Sequence, residues 1–330
     1  MDERYATSLY RRADFRRSRV TSSMTSENTE VPEWRTRQER GSVFWLRVIT
    51  FIALKLGRPF ARIFLPPITL FFVLRAGAAG DASRAYLTRV LNRPAKWIDV
   101  YRHFFCFAAT ILDRIFLVNE RVELFDIRGF GTERFAERFK ANQGGLLLGA
   151  HIGSFDAVRA FGYDLPSLKV ALAMFEGNAR KLGMVLNAIN PRAAQEIIPL
   201  GTMQSILDIR ARVVEGAYVG MLADRSLGQK GYKTVSFLGS EAQVAIGPFK
   251  IGALLGGPLF FMAAIYRGGN RYDIIFDTLV DFDVAESKPV LIDRAIARYA
   301  AILEERVTDA PYNWFNFFDF WQAEGSDETP

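Results

Sequence analysis

From residue 122 onward, short apolar runs alternate with stretches of helical periodicity, and that alternation limits the possible folds more than any other feature of the chain. Segments 122–127, 146–148, 170–174, 196–200 and 218–223 read as strands. Between them, 132–141, 154–161, 179–189 and 203–215 carry the 3.6-residue rhythm of helices. Leu146-Leu147-Leu148 is apolar throughout, the pattern of a strand buried on both faces. Strands and helices that alternate at these lengths make an α/β fold with a mostly parallel central sheet flanked by helices. Segments 234–238, 259–265 and 272–279 are expected to extend that sheet, with a helix at 248–255 and a last one at 289–307.

The chain before this domain is of another kind. No acidic residue occurs from Arg40 to Gly80, while Arg40, Arg47, Lys55, Arg58, Arg62 and Arg75 supply six positive charges, equal to the formal net charge of +6. These cations sit among Phe44, Trp45, Leu46, Val48, Ile49, Phe51, Ile52 and Leu54. On a helical wheel Arg40, Arg47, Lys55 and Arg58 span an arc of about 80°. A cationic stripe beside an apolar face suits a helix lying on anionic lipid headgroups better than a nucleic-acid surface. A second apolar run, 63–74, is broken by Pro66 and Pro67 and is shorter than the roughly 20 residues of a bilayer-crossing helix. The two runs together fit a re-entrant or interfacial hairpin. Residues 1–30 carry six arginines and no apolar core, so no cleavable signal peptide is legible there. The expected organisation is a disordered basic tail at 1–35, an N-terminal helical membrane-associating region at 36–118, the α/β domain at 119–323, and a short tail at 324–330.

Few residues are available for chemistry. Cys106 is the only cysteine, and His103 and His151 are the only histidines, which excludes a disulfide framework and leaves almost no material for a metal centre. Cys106 reads as a small buried residue, and His103, one turn after Asp99 on a helix spanning 96–117, as a helix-surface or interface residue. His151 is different. It follows the buried strand that ends at Gly149, and ligand sites in open α/β sheets lie beyond the carboxyl ends of strands. Asp156 is five residues on, and Gly149 and Gly153 allow a tight turn that lets the two side chains converge. A neutral imidazole steered by a carboxylate suits general-base catalysis, in which a hydroxyl attacks a carbonyl.

The block His151-Ile-Gly-Ser-Phe-Asp156 resembles the His-x4-Asp motif of the lysophospholipid acyltransferase superfamily, in its lipid A biosynthesis (lauroyl/myristoyl) branch. Met221-Leu-Ala-Asp224, Ser236-Phe-Leu-Gly239, Gly247-Pro-Phe-Lys-Ile-Gly-Ala253 and Gly257-Pro-Leu-Phe260 resemble later blocks of that branch, in order. Arg84-Ala-Tyr-Leu87 and the aromatic run from Tyr312 to Trp321 look closer to acyltransferases of aryl-polyene gene clusters. The resemblance covers most of residues 40–321. It implies an acyltransferase with His151 as catalytic base and Asp156 as its partner; Gly153, Ser154, Asp224, Arg225 and Lys233 are the candidate substrate-binding residues beside them. It further implies an acyl-carrier-protein or coenzyme A thioester as co-substrate and no other cofactor or metal. The acceptor would be a membrane lipid or glycolipid hydroxyl, or an amine in its place, at the cytoplasmic face of a bacterial inner membrane. Nucleic acid is not an expected partner. The chain departs from the family in two places: Asp224-Arg225 stands where many lipid A enzymes have Asp-Gln, and the Glu-Gly-Thr-Arg block of glycerolipid enzymes is absent. Two readings of Arg225, Lys230 and Lys233 stay open, a phosphate- or carrier-binding loop and a solvated basic loop. An acyl thioesterase or lipid hydrolase is the alternative enzyme, its serine version disfavoured by the lack of Gly-x-Ser-x-Gly; a non-catalytic lipid-binding protein is the alternative outside catalysis.

Overall fold

The computed structural model describes residues 46–162, 168–191, 196–224 and 231–321. The expected tails at 1–35 and 324–330, together with Arg40, Arg225 and Lys230, lie outside the described residues. Helical residues 46–56 (α1) lead into α2 (Arg58–Ile63), α3 (Leu65–Leu74), α4 (Ala78–Val90) and α5 (Trp97–Val118). The alternating part runs β1 (Asp126–Phe130), α6 (Glu133–Lys140), β2 (Gly145–Gly149), α7 (Phe155–Phe161), β3 (Val170–Phe175), α8 (Glu176–Ile189), β4 (Glu196–Leu200), α9 (Met203–Val214) and β5 (Tyr218–Leu222). It continues through β6 (Tyr232–Phe237), β7 (Ser240–Ala245), α10 (Gly247–Leu255), β8 (Pro258–Tyr266), β9 (Arg271–Asp281) and α11 (Lys288–Asp309).

Seven strands form one mixed sheet in the order β1-β9-β8-β2-β5-β3-β4. β8 and β9 pair antiparallel, and the other neighbours pair parallel. Side chains of a strand alternate between faces, and β2 shows why its residues are all apolar. Leu146 and Leu148 pack on one side with Leu291, Tyr299 and Leu303 of α11. Leu147 packs on the other with Phe116 of α5, Phe135 of α6 and Ala157 of α7.

Three expectations change. Segment 122–127 is a short 3-10 turn, Val122–Leu124, followed by β1 at Asp126. Segment 234–238 does not extend the main sheet: β6 pairs with β7 as a separate antiparallel ribbon. Thr234 and Ser236 are exposed on either side of Val235, and only Phe237 is buried, so it lacks the two-sided apolar run that an interior strand needs. Pro66 and Pro67 start α3 instead of interrupting it, because the first helical turn requires no backbone N–H from them.

The N-terminal helices bury charge and expose hydrocarbon. Arg58 is buried and makes a two-pronged ion pair with Asp113 of α5, at 2.7 and 2.8 Å. It is therefore not part of a headgroup-facing stripe. The Tyr272 hydroxyl donates to the same carboxylate at 2.9 Å, which ties α2 and α5 to β9. Phe51, Ile63, Phe64, Phe71, Phe72 and Leu74 all face outward. Among the described residues no single helix is long and apolar enough to cross a membrane. Arg58–Leu74 together with Ala78–Val90 meets that length and composition, but the pair turns through 101°.

Candidate active site

Parallel pairing brings the site together. β2 and β5 run in register with Gly149 opposite Leu222. Two residues further along each chain stand His151 and Asp224, on neighbouring strands about 4.8 Å apart. The His151 Nδ1 lies 2.9 Å from one Asp224 oxygen, and the His151 backbone N–H donates to the other at 2.9 Å. The carboxylate partner of His151 is therefore Asp224 and not Asp156. A carboxylate facing Nδ1 keeps the proton on that nitrogen, so Nε2 is the proton acceptor. Nε2 has no hydrogen-bond partner among the described residues, and about a third of the His151 side chain is exposed.

Asp224 is 1% exposed and accepts three N–H groups: the ring and backbone of His151, and the Trp314 indole at 3.0 Å. Burial alone pushes its carboxyl pKa up. The adjacent His151 ring and the three donors outweigh that and hold it below the ordinary aspartate value. The anion is thus fixed in charge and orientation, as the partner of a general base must be.

Asp156 stands in the first turn of α7, 7% exposed as a residue, and its carboxylate receives Nε of Arg114 from α5 at 2.6 Å. The five-residue spacing puts it at the helix start, from which its side chain meets α5. Gly153 and Ser154 build the turn between His151 and α7. Gly153 has φ 63°, and a Cβ there would collide with the carbonyl oxygen of Ala264. Ser154 is buried and caps α7, its hydroxyl accepting the Ala157 N–H at 3.3 Å, while its own N–H goes to Ala264. With these bonds both residues support the turn. Lys233 on β6 pairs with Asp293 of α11 at 2.5 Å. Arg225 lies outside the described residues.

Sequence reasoning missed the segment that closes the site. Residues 313–315 run antiparallel to the His151 turn, with Ile152 bridged to Trp314. The Phe315 N–H donates to the His151 carbonyl at 2.7 Å, and the Gly153 N–H to the Asn313 carbonyl at 2.8 Å. Beside them the side-chain amide of Asn316 is buried and has no hydrogen-bond partner among the described residues. The aromatic run 312–321 was the available signal, but hydrophobic content does not reveal hydrogen bonding. Nor is His103 on a helix surface. It is fully buried, between the Ser83 hydroxyl and the Trp314 carbonyl, each at 2.8 Å. Burial pushes its ring pKa down to about 4, the Trp314 carbonyl opposing only part of that shift. Cys106 is buried as expected, and burial pushes its thiol up to about 12.

A strand-end imidazole, about a third exposed, beside a buried, triply bonded carboxylate is the apparatus of proton abstraction, and one family model matches the chain across this site. Residues 107–323 match the model of the bacterial lipid A biosynthesis acyltransferases, a span that contains His151, Asp156, Asp224 and Trp314. No curated protein matches the chain. With about two thirds of its length inside that match, the chain belongs to the bacterial lipid A biosynthesis acyltransferase family and is an acyltransferase-type enzyme.

Proposed function

We propose that the protein transfers a fatty acyl group from an acyl-carrier-protein or coenzyme A thioester to a hydroxyl, or an amine in its place, of a membrane lipid or glycolipid. The observation that carries this reading is the His151–Asp224 pair at the carboxyl ends of β2 and β5 in a chain of this family. Nε2 of His151 takes the acceptor proton as its oxygen bonds to the thioester carbonyl carbon. The tetrahedral intermediate then collapses, the carbon–sulfur bond breaks, and the imidazolium returns its proton to the leaving thiolate. Asp224 holds the ring's tautomer and stabilises the imidazolium. Asp156 acts at one remove: paired with Arg114, it fixes the start of α7 against α5.

The working place of the enzyme is the cytoplasmic face of a bacterial inner membrane. Supporting this are the outward apolar side chains of α1 to α3 and the cations that fringe them, Lys55 near the Phe51 ring and Arg75 over the Phe71 ring at 4.4 Å. The aromatic end and the 84–87 block favour an acceptor like those of aryl-polyene clusters within the wider family. His151→Ala, assayed for radiolabelled acyl transfer in membranes, is expected to lose at least about 10³-fold in rate, the scale at which removal of a general base is felt. Undiminished transfer rejects the mechanism. Thioester hydrolysis without need of an acceptor points to a thioesterase, and ligand retention with no turnover to a lipid-binding protein.

A further inference from the structure

Trp314 is the third group on the Asp224 carboxylate. Its indole N–H meets the oxygen that also takes the His151 backbone N–H. The indole is fully buried, with Tyr86, Phe237 and Phe320 edge-on to it at 5.0, 5.3 and 5.0 Å. A phenylalanine ring is also aromatic and apolar, but it brings no N–H to the anion there. The backbone of Trp314 is held as firmly as its ring. Its carbonyl accepts from His103 Nε2, so that nitrogen carries the proton and Nδ1 accepts from the Ser83 hydroxyl. The His103 ring lies against Phe317 with centroids 4.6 Å apart. A continuous path of hydrogen bonds and one residue's covalent frame thus joins Ser83 on α4 and His103 on α5 to Asp224.

We infer that Trp314 is a positioning residue for the acyl-transfer base, and that His103 holds Trp314 in register through its carbonyl. The inference rests on the reading of His151 and Asp224 as the base pair. Without the indole donor, the buried carboxylate keeps its other two N–H groups but is free to tilt. Its less delocalised charge then attracts the His151 imidazolium more strongly. Tyr299 lies near Asp224 with its hydroxyl on the Gly149 carbonyl, and Tyr86 and Cys106 lie near His103.

The test uses the full chain in nanodiscs of phosphatidylethanolamine and phosphatidylglycerol, with histidine labelled at 13Cε1. Two histidines give two resonances, so His151 is followed directly. Two variants remove the donor: Trp314→Phe, and replacement of Trp314 by benzothienylalanine, which keeps the bicyclic shape with sulfur in place of N–H. In both, the His151 titration is expected to move to higher pH by roughly half a unit to one unit. With lauroyl-coenzyme A as donor and extracted membrane lipid as acceptor, kcat is expected to fall roughly 10- to 100-fold with donor KM within about threefold. His103→Leu should move the titration the same way. His103→Gln, whose amide reaches the same carbonyl, should leave it in place. An unmoved titration in the benzothienylalanine protein overturns the inference, whatever happens to the rate. Loss of transfer in His151→Ala alongside that unmoved titration leaves the base assignment standing. Retained transfer in His151→Ala removes the base assignment itself.

Discussion

Helices α5 and α11 have 22 residues each, but only α5 threads a row of polar side chains through its buried side. α11 is conventional. Leu291, Ala295, Ile296, Tyr299, Ile302, Leu303 and Val307 line its buried stripe, and Asp293, Arg294, Arg298 and Glu305 face outward. α5 also buries apolar groups, but through its buried side runs a polar row of Asp99, His103, Thr110 and Asp113. Its outer side carries Trp97, Ile98, Phe107 and Ile111, each at least 38% exposed. Each buried ionisable group of that row has a partner. Asp99 takes Arg93 in a two-pronged pair and the Tyr312 hydroxyl, His103 takes Ser83 and Trp314, and Asp113 takes Arg58 and Tyr272. Water-facing rules order α11. In α5 the buried polar contacts reach α2, α4, β9 and the segment that closes the site, while large apolar groups stand on the outer side. Helices with that arrangement suit a lipid environment on their outer side, in keeping with the proposed membrane face.

The largest effect expected of this contrast is on the buried charge. Asp113→Ala leaves the Arg58 guanidinium without its anion, and breaking a buried pair from one side costs roughly 3–5 kcal/mol. Leu303→Ala in α11 is expected to cost a comparable ~2–5 kcal/mol through cavity formation. Urea unfolding of the two variants compares them directly. If α5 is organised by matched polarity, replacing Arg58, Asp113 and Tyr272 together by Met, Leu and Phe should recover most of the loss. Recovery of less than half would show that this cluster does more than satisfy its own charges.

Next is acid. The His103 ring pKa is about 4 when folded, against 6.5 for an ordinary histidine. Above pH 6.5 the ring is neutral in both states, and its buried contacts contribute in full. As the pH falls from 6.5 towards 4, the unfolded chain takes up the proton first, so stability declines, by roughly 3 kcal/mol in all. Below 4 both states are protonated and this contribution levels off. His103→Gln removes that slope. Unfolding midpoints recorded at pH 7, 5.5 and 4 should converge between the two proteins in their pH dependence only if other groups dominate, and convergence counts against the buried-neutral assignment.

Much of the α/β part was legible because two-sided burial writes itself into composition. Leu146 to Leu148 could only be an interior strand, and His151 beyond it could only be at the carboxyl edge. The partner carboxylate was the harder inference. Proximity along the chain favoured Asp156, whereas the actual partner is 73 residues away and is set by the register of β2 against β5. Met221-Leu-Ala-Asp224 carried the necessary hint, a second strand end with an acid two residues beyond the pairing, but strand order was needed to make them neighbours. Arg58 was misread for a related reason. A helical wheel shows which residues share a side and not what that side touches, so a buried cation of α2 looked the same as an exposed one. The same limitation hid His103 and Trp314, whose polar atoms find partners only in tertiary structure.

The smallest effect tests the outer side of α5. Ile98 and Ile111 are exposed apolar side chains, so Ile98→Ser with Ile111→Ser should change urea stability by no more than about 0.5 kcal/mol each. If that side rests in lipid, the same double change removes apolar contact worth roughly 1–2 kcal/mol, about five- to thirtyfold in partitioning. Sedimentation of the full chain with vesicles of phosphatidylethanolamine and phosphatidylglycerol measures it. Ala297→Ser with Ala301→Ser, on the exposed side of α11, should leave retention unchanged. Equal retention of both double variants and the parent would place α5 off the bilayer. The membrane contact would then fall to α1 to α3 alone, where Phe72→Ser and Leu74→Ser provide the corresponding test.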